Sequence, residues 1–234
     1  MSKLITVRAD KNIGGYTDIT IPLIREYAKK IDADFKLLEN NYTNSIGDGL
    51  FHYRILEIGQ LLKTYDRVLN LDADIILNKN VPDIFSLVPE DKVATVFEDQ
   101  GSRVGHRRGL ISNVQSLWGD VGWKNGYFNS GCILFSRQHV DIFQEHKGKV
   151  WNEFGFDDVH LGYMTHKCGH ELYELPFSFN HMTMFSEGWN GHANRFNSHL
   201  IHYAGHGVFD PGIANKIEQI KSDHNRIYSP SIES

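Results

Sequence analysis

The acidic triplet Asp72-Ala73-Asp74 ends an apolar run, Val68-Leu69-Asn70-Leu71, and is followed at once by another, Ile75-Ile76-Leu77. Two carboxylates one residue apart, in an extended or turning backbone, can converge on a shared cation, and hard divalent ions take such oxygen ligands. A cation held there would offset negative charge that gathers on a departing group. The same two residues would also serve a turn or a helix cap, so the triplet alone leaves both readings open.

The elements around the triplet favour the first reading. A strand at Leu4 to Val7 is followed by a polar, glycine-containing loop from Ala9 to Tyr16 and by Ile24, Tyr27, Ala28 and Ile31 at helical spacing, with Pro22 expected in the first turn. Asp34 to Leu38 reads as a strand, and Phe51, Ile55, Ile58 and Leu62 read as one face of a second helix leading into the acidic strand. Further strands are expected at Val93 to Phe97 and Gly131 to Phe135, with helices near Gln138 to Lys147 and Asp157 to Cys168. Alternating helices and short apolar strands predict an α/β fold with a mostly parallel, Rossmann-like central sheet flanked by helices. In such sheets ligands bind beyond the carboxyl ends of the strands, where Asp72 and Asp74 stand. Glu98 to Asn125, rich in Gly, Arg, Ser and Asn, reads as a long excursion across the site. The expected organisation is one domain over 1–220, with a nucleotide-binding half to about 100, a sugar and acceptor half from about 101, and a loosely held tail over 221–234.

Composition narrows the class. With 24 basic against 29 acidic side chains the net charge is -5, and no long basic stretch exists, which excludes a general nucleic-acid binder. Two cysteines do not make a disulfide framework, and the chain contains neither a separate apolar signal region nor an apolar segment of bilayer-spanning length. A cytoplasmic protein without a transmembrane segment is expected. Thirteen histidines are an unusually large number.

Several short segments, taken in order, resemble glycosyltransferase family eight, the family of glycogenin and bacterial lipopolysaccharide galactosyltransferases. Tyr53-Arg54 and the run from Tyr65 through Asp72-Ala73-Asp74 to Leu77 resemble its signature region; Phe128-Asn129-Ser130-Gly131 resembles F-N-[SA]-G. Asp157-Asp158-Val159-His160-Leu161 resembles D-Q-x-x-L, Leu175 to Asn180 resembles L-P-x-x-x-N, and His202-Tyr203-Ala204-Gly205 resembles H-[FY]-x-G.

The resemblance implies a GT-A fold and transfer of a sugar from a nucleotide-sugar donor, a UDP-sugar foremost, to a glycan or other hydroxyl acceptor with retention of anomeric configuration. It implies Asp72, Asp74 and His202 as metal ligands; a nitrogen ligand favours manganese, with magnesium the alternative. Thr6, Asp10 and Tyr16 would hold base and ribose, and Arg54 the pyrophosphate side. Ala73, Gly205 and His206 would join them around the nucleotide. Asn129, with Gly131, would lie against the sugar or acceptor, Asp157 would bind a sugar hydroxyl, and Asp158 would lie near the reacting carbon. Asp158, in the first turn of its helix, is expected to be ionised at neutral pH.

Two positions depart from the family pattern. Val208 stands where a phosphate-pairing lysine is usual, leaving His206, Arg103, Arg107 or Arg108 as candidate replacements; Asp158 stands where a glutamine is usual. The missing lysine supports one alternative, a sugar-nucleotide-binding protein without turnover. A metal-dependent nucleotidyltransferase is another, although Lys11 with Gly14-Gly15 is a poor phosphate loop.

Overall fold

Apolar residues alternate along the central strands and so present two buried faces. The computed structural model describes residues 1–9, 15–38, 56–187 and 193–229. Strands β1 (Lys3–Arg8), β2 (Asp34–Leu38), β3 (Arg67–Asp72), β5 (Lys92–Phe97), β6 (Phe128–Ser136) and β7 (Glu171–Glu174) form a sheet in the order β2-β1-β3-β6-β5-β7. Only β6 runs against its neighbours, so the sheet is mostly parallel, as expected. Ile5, Val7, Leu69, Leu71, Cys132 and Leu134 face α1 (Thr17–Lys30) and α3 (Ile84–Leu87). Leu4, Val68, Val93, Ile133 and Phe135 face α2 (Ile58–Leu61), α4 (Val104–Trp118) and α5 (Phe156–Lys167).

A second, two-stranded sheet positions the site. β4 (Ile75–Leu77) begins two residues after β3 ends, and β8 (Leu200–His202) pairs with it antiparallel, setting Ile75 opposite His202. The turn holding the acidic triplet therefore lies against the end of β8, and Tyr203 N donates to Asp74 O at 3.0 Å. On the outer face of this small sheet Ile76, Ile201 and Tyr203 pack with Ile220 of α6 (Lys216–Tyr228).

Several expectations need correction. Pro22 lies inside α1 and not in its first turn, because the helix already starts at Thr17; Thr20 Oγ1 then donates to Ala73 O at 2.5 Å, fastening that early part to the acidic turn. Of the predicted second helix only Ile58–Leu61 is seen, and Phe51 to Ile55 lie outside the described residues. The excursion after Glu98 contains a four-turn helix, α4, buried through Ile111 and Val114 and tied down by Arg107 to Glu98 and Arg108 to Asp99 (3.0 Å). The stretch after Gln138 is a 3-10 turn over Arg137–Phe143.

Lys221 to Tyr228, expected to be loosely held, is the body of α6. Asn215 caps this helix by accepting from Glu218 N at 3.0 Å, Asp223 accepts from Arg195 Nε at 2.8 Å, and Tyr228 Oη donates to Leu77 O at 2.6 Å. Among the described residues no helix is long and apolar enough to cross a membrane.

Candidate active site

Asp72 closes β3, Asp74 sits in the turn that follows, and His202 closes β8, so three elements deliver one ligand atom each to a common point. One oxygen of each carboxylate and one imidazole nitrogen lie within 4.8 Å of one another. His202 Nε2 is 3.2 Å from Asp74 Oδ1 and 3.6 Å from Asp72 Oδ2. Its other nitrogen, Nδ1, faces Asn180 Oδ1 at 2.8 Å, and Asn180 Nδ2 donates in turn to Asn129 Oδ1 at 3.2 Å. With Nδ1–H committed to Asn180, Nε2 is aimed at the carboxylates, the arrangement that orients an imidazole toward a metal. Gly131 completes the cradle: a Cβ there would overlap the His202 ring, Asn129 Oδ1 and Asp72 Oδ2. Two hard oxygens, one nitrogen and the space reserved by a glycine fit a divalent cation.

Burial works against charge here, but the partners override it. The His202 imidazole and Lys216 ammonium hold the buried Asp74 carboxyl well below the usual carboxylate range. Burial likewise opposes a charge on His202, yet Asp74 and Asp72 raise its imidazole above the ordinary value.

Two cations in the site carry no sequence signal. Arg8 ends β1, in register with Asp72, and its guanidinium spans two carboxylates: Nη2 is 2.7 Å from Asp72 Oδ1 and Nη1 is 2.9 Å from Asp157 Oδ2. Desolvation would lower its affinity for the proton, but Asp157 and Asp72 raise it. Lys216, at the start of α6, places Nζ 2.6 Å from Asp74 Oδ2.

At the start of α5, Asp157 also accepts from Ser130 Oγ at 2.7 Å, and Asp158 Oδ1 accepts from Ser130 N at 2.7 Å. The surroundings of Asp158 weigh against the expectation that it is ionised. Burial, with Asp157 and Glu98 nearby, pushes its carboxyl well above the ordinary range, and the hydrogen bonds from Ser130 do not offset this.

Other predicted residues divide into those near this space and those away from it. Tyr16 lies beside it, with the Lys216 ammonium 5.9 Å from its ring centroid. Thr6 does not face it: the side chain is fully buried in the sheet, its hydroxyl 3.4 Å from Leu69 O and 3.3 Å from Asn70 Oδ1. Ala73 is buried and shapes the turn through its carbonyl. Gly205 and His206 are exposed on the turn after β8. Asp10 and Arg54 lie outside the described residues. Arg103, Arg107 and Arg108 are paired with Glu98 and Asp99.

The sequence profile described as glycosyl transferase family 8 matches residues 16–207. No curated protein sequence matches the chain. Among solved structures, a glycosyltransferase involved in the glycosylation of the major capsid of PBCV-1 is similar with a TM-score of 0.63 at 15% identity, over 95% of this chain and 98% of that one. The galactosyltransferase LgtC, in complex with donor and acceptor sugar analogs, gives 0.63 at 16% identity over 98% of both chains. The bifunctional WbbM in its apo form gives 0.62 at 17% identity, over 97% of this chain and 50% of that one. At such identities these structures speak for the fold, which is of the GT-A type. The profile sets aside the nucleotidyltransferase alternative, and because it spans most of the chain, the protein belongs to glycosyl transferase family 8 and is a glycosyltransferase.

Proposed function

We propose that this glycosyltransferase moves a hexose-like sugar from a UDP-sugar to a hydroxyl of a glycan or other acceptor, with retention, and that Asp72, Asp74 and His202 hold a manganese ion for the reaction. The observation that carries this is the convergence of those three side chains at the carboxyl end of the parallel sheet, with Asn180 orienting the imidazole. When bound, the ion supplies Lewis-acid stabilisation of the diphosphate leaving group.

The chain's own residues do the rest. Asn180 fixes the ring plane of His202. Arg8 keeps the Asp72 carboxylate facing the site while also holding Asp157. Asn129, with one oxygen already shared between Gly131 N and Asn180, is a rigid polar wall for the sugar. Asp157 and Asp158, fixed by Ser130, form the pair that faces the donor sugar: Asp157, paired with Arg8, is the charged member, and the Asp158 carboxyl, which holds its proton more tightly, hydrogen-bonds at the reacting end.

The test is release of nucleoside diphosphate from a donor panel with and without manganese. An Asp74→Asn variant should lose turnover by orders of magnitude with its fold intact. Full activity in that variant, or in excess chelator, removes the metal mechanism; donor binding with no release marks a binding protein instead.

A further inference from the structure

Asp74 divides its two oxygens between two partners. Oδ1 faces His202 Nε2 at 3.2 Å, while Oδ2 accepts from Lys216 Nζ at 2.6 Å. The lysine comes from 142 residues further along the chain, and the local backbone makes room for it. Gly207 has a φ of +62°, and a Cβ there would lie 2.5 Å from the Tyr203 carbonyl oxygen, 2.8 Å from Lys216 Cε and 2.9 Å from Cγ, so the stem crosses a position that glycine keeps open for both backbone and side chain. The ammonium then passes the Tyr16 ring at 5.9 Å and ends on the acidic turn. The Lys216 side chain is still about one-fifth exposed (22%), whereas that of Asp74 is more enclosed (13%).

We propose that Lys216 is the diphosphate-binding cation of this site and, before metal and donor arrive, the counter-ion of Asp74. The inference rests on the nucleotide-sugar reading above. A carboxylate so enclosed needs a cation, and the lysine supplies one. Were Asp72, Asp74 and His202 to hold a divalent ion, that charge would take over the task and repel the ammonium. A lysine stem is flexible, so the charge can move without refolding α6. The destination would be the donor's diphosphate, whose negative charge suits a displaced ammonium.

Arg8 cannot play this part, because leaving Asp72 would also pull its other nitrogen from the buried Asp157. Arg103, Arg107 and Arg108 are engaged at Glu98 and Asp99, and Val208 carries no charge.

The experiment measures two affinities with opposite expected signs, on the full chain. Manganese alone is titrated by the electron paramagnetic resonance of the free ion; UDP, with GDP and ADP beside it, is titrated by calorimetry at saturating manganese. Lys216→Gln should tighten manganese binding in the absence of nucleotide by about threefold or more, since a competing cation is gone. It should weaken UDP binding by about tenfold or more, the loss expected for a charged hydrogen bond.

Lys216→Arg, which keeps the charge, should restore most of the nucleotide affinity. Melting temperatures establish that each variant is folded. Unchanged or weaker manganese binding in Lys216→Gln, or unchanged nucleotide affinity, overturns the assignment while leaving the glycosyltransferase reading intact. A wild-type chain that binds neither manganese nor any of the three diphosphates removes both.

Discussion

Asn180 accepts a hydrogen bond from His202 at 2.8 Å, and this single contact decides which nitrogen of the imidazole faces the acidic turn. Asn180 is fully buried and is itself braced by Asn129. Replacing it with Ala leaves the ring free to rotate and its Nδ1–H without a partner. Loss of such a supporting residue costs about 10- to 100-fold in metal affinity or activity. We expect a fall of that size in manganese affinity for Asn180→Ala, read from the free-ion resonance signal. An unchanged affinity would show that His202 is held by its neighbours without Asn180.

Gly131 and Gly109 give opposite expectations for the same substitution. At Gly131 an alanine methyl would collide with His202, Asn129 and Asp72, so Gly131→Ala should abolish most turnover even where circular dichroism reports a folded chain. Gly109 sits inside α4 with nothing near the position of its missing Cβ and no positive φ. Gly109→Ala should stabilise the chain by about 0.5–1 kcal/mol, because an exposed helical glycine costs that much relative to alanine. The comparison fails if Gly131→Ala keeps wild-type turnover, or if Gly109→Ala lowers the melting temperature.

The acidic pair was legible because its spacing is local: Asp72 and Asp74 declare themselves within three residues at a strand end, whereas His202 was reached only through the resemblance of His202-Tyr203-Ala204-Gly205 to a family motif. Arg8 and Lys216 were not. Their carboxylate partners lie 64 and 142 residues away, and nothing near either cation in sequence marks it as part of a site. Arg8 becomes visible only once the parallel register sets it beside Asp72.

Helix α4 was hidden for a different reason. Gly105, Gly109 and several arginines read as a loop, whereas the fold holds them in a helix through Arg107 to Glu98, Arg108 to Asp99 and the burial of Ile111 and Val114. The polar helix α6 was obscured in the same way, since its anchors, Asp223 to Arg195 and Tyr228 to Leu77, are long-range.

Three histidines outside the metal-ligand set predict acid lability. Burial pushes the imidazoles of His139, His160 and His181 down to about 4, against an ordinary 6.5. Each has a hydrogen-bond partner that suits a neutral ring: His139 accepts from Ser136 N at 2.9 Å, His160 accepts from Trp151 N at 3.3 Å, and His181 Nδ1 meets Ser198 Oγ at 2.7 Å. Between pH 6.5 and 4 the unfolded chain binds protons that the folded chain does not, so stability falls as pH falls through that window. A gap of this width is worth of order 3 kcal/mol for each residue if fully realised. Asp158 and His202, whose values are raised, act with the opposite sign. His181→Gln isolates the effect, because its melting temperature should decline less than that of the wild type from pH 7 to 4.5. Parallel declines would mean that His181 is not held neutral by burial.

Asp158 offers the sharpest separation of stability from catalysis. Its carboxyl is held well above the ordinary range by burial and by Asp157 and Glu98, so the folded chain keeps this proton to higher pH than the unfolded chain does. Such a group stabilises the fold fully below its unfolded value and loses that contribution as pH rises through the folded one. Asn copies the shape of the protonated acid and can keep the hydrogen bond from Ser130 N, now 2.7 Å, without ever carrying charge. Asp158→Asn should therefore melt higher than the wild type at pH 7.5, and the advantage should vanish near pH 4. Turnover should move the other way, falling by more than about tenfold if the Asp158 carboxyl itself contacts the reacting sugar and exchanges a proton or charge there that Asn cannot. A variant that is less stable at pH 7.5 would refute the raised value. One that is more stable yet fully active would leave Asp158 as a helix-start residue and pass the catalytic role to Asp157, which Arg8 and Ser130 already hold beside the metal ligands.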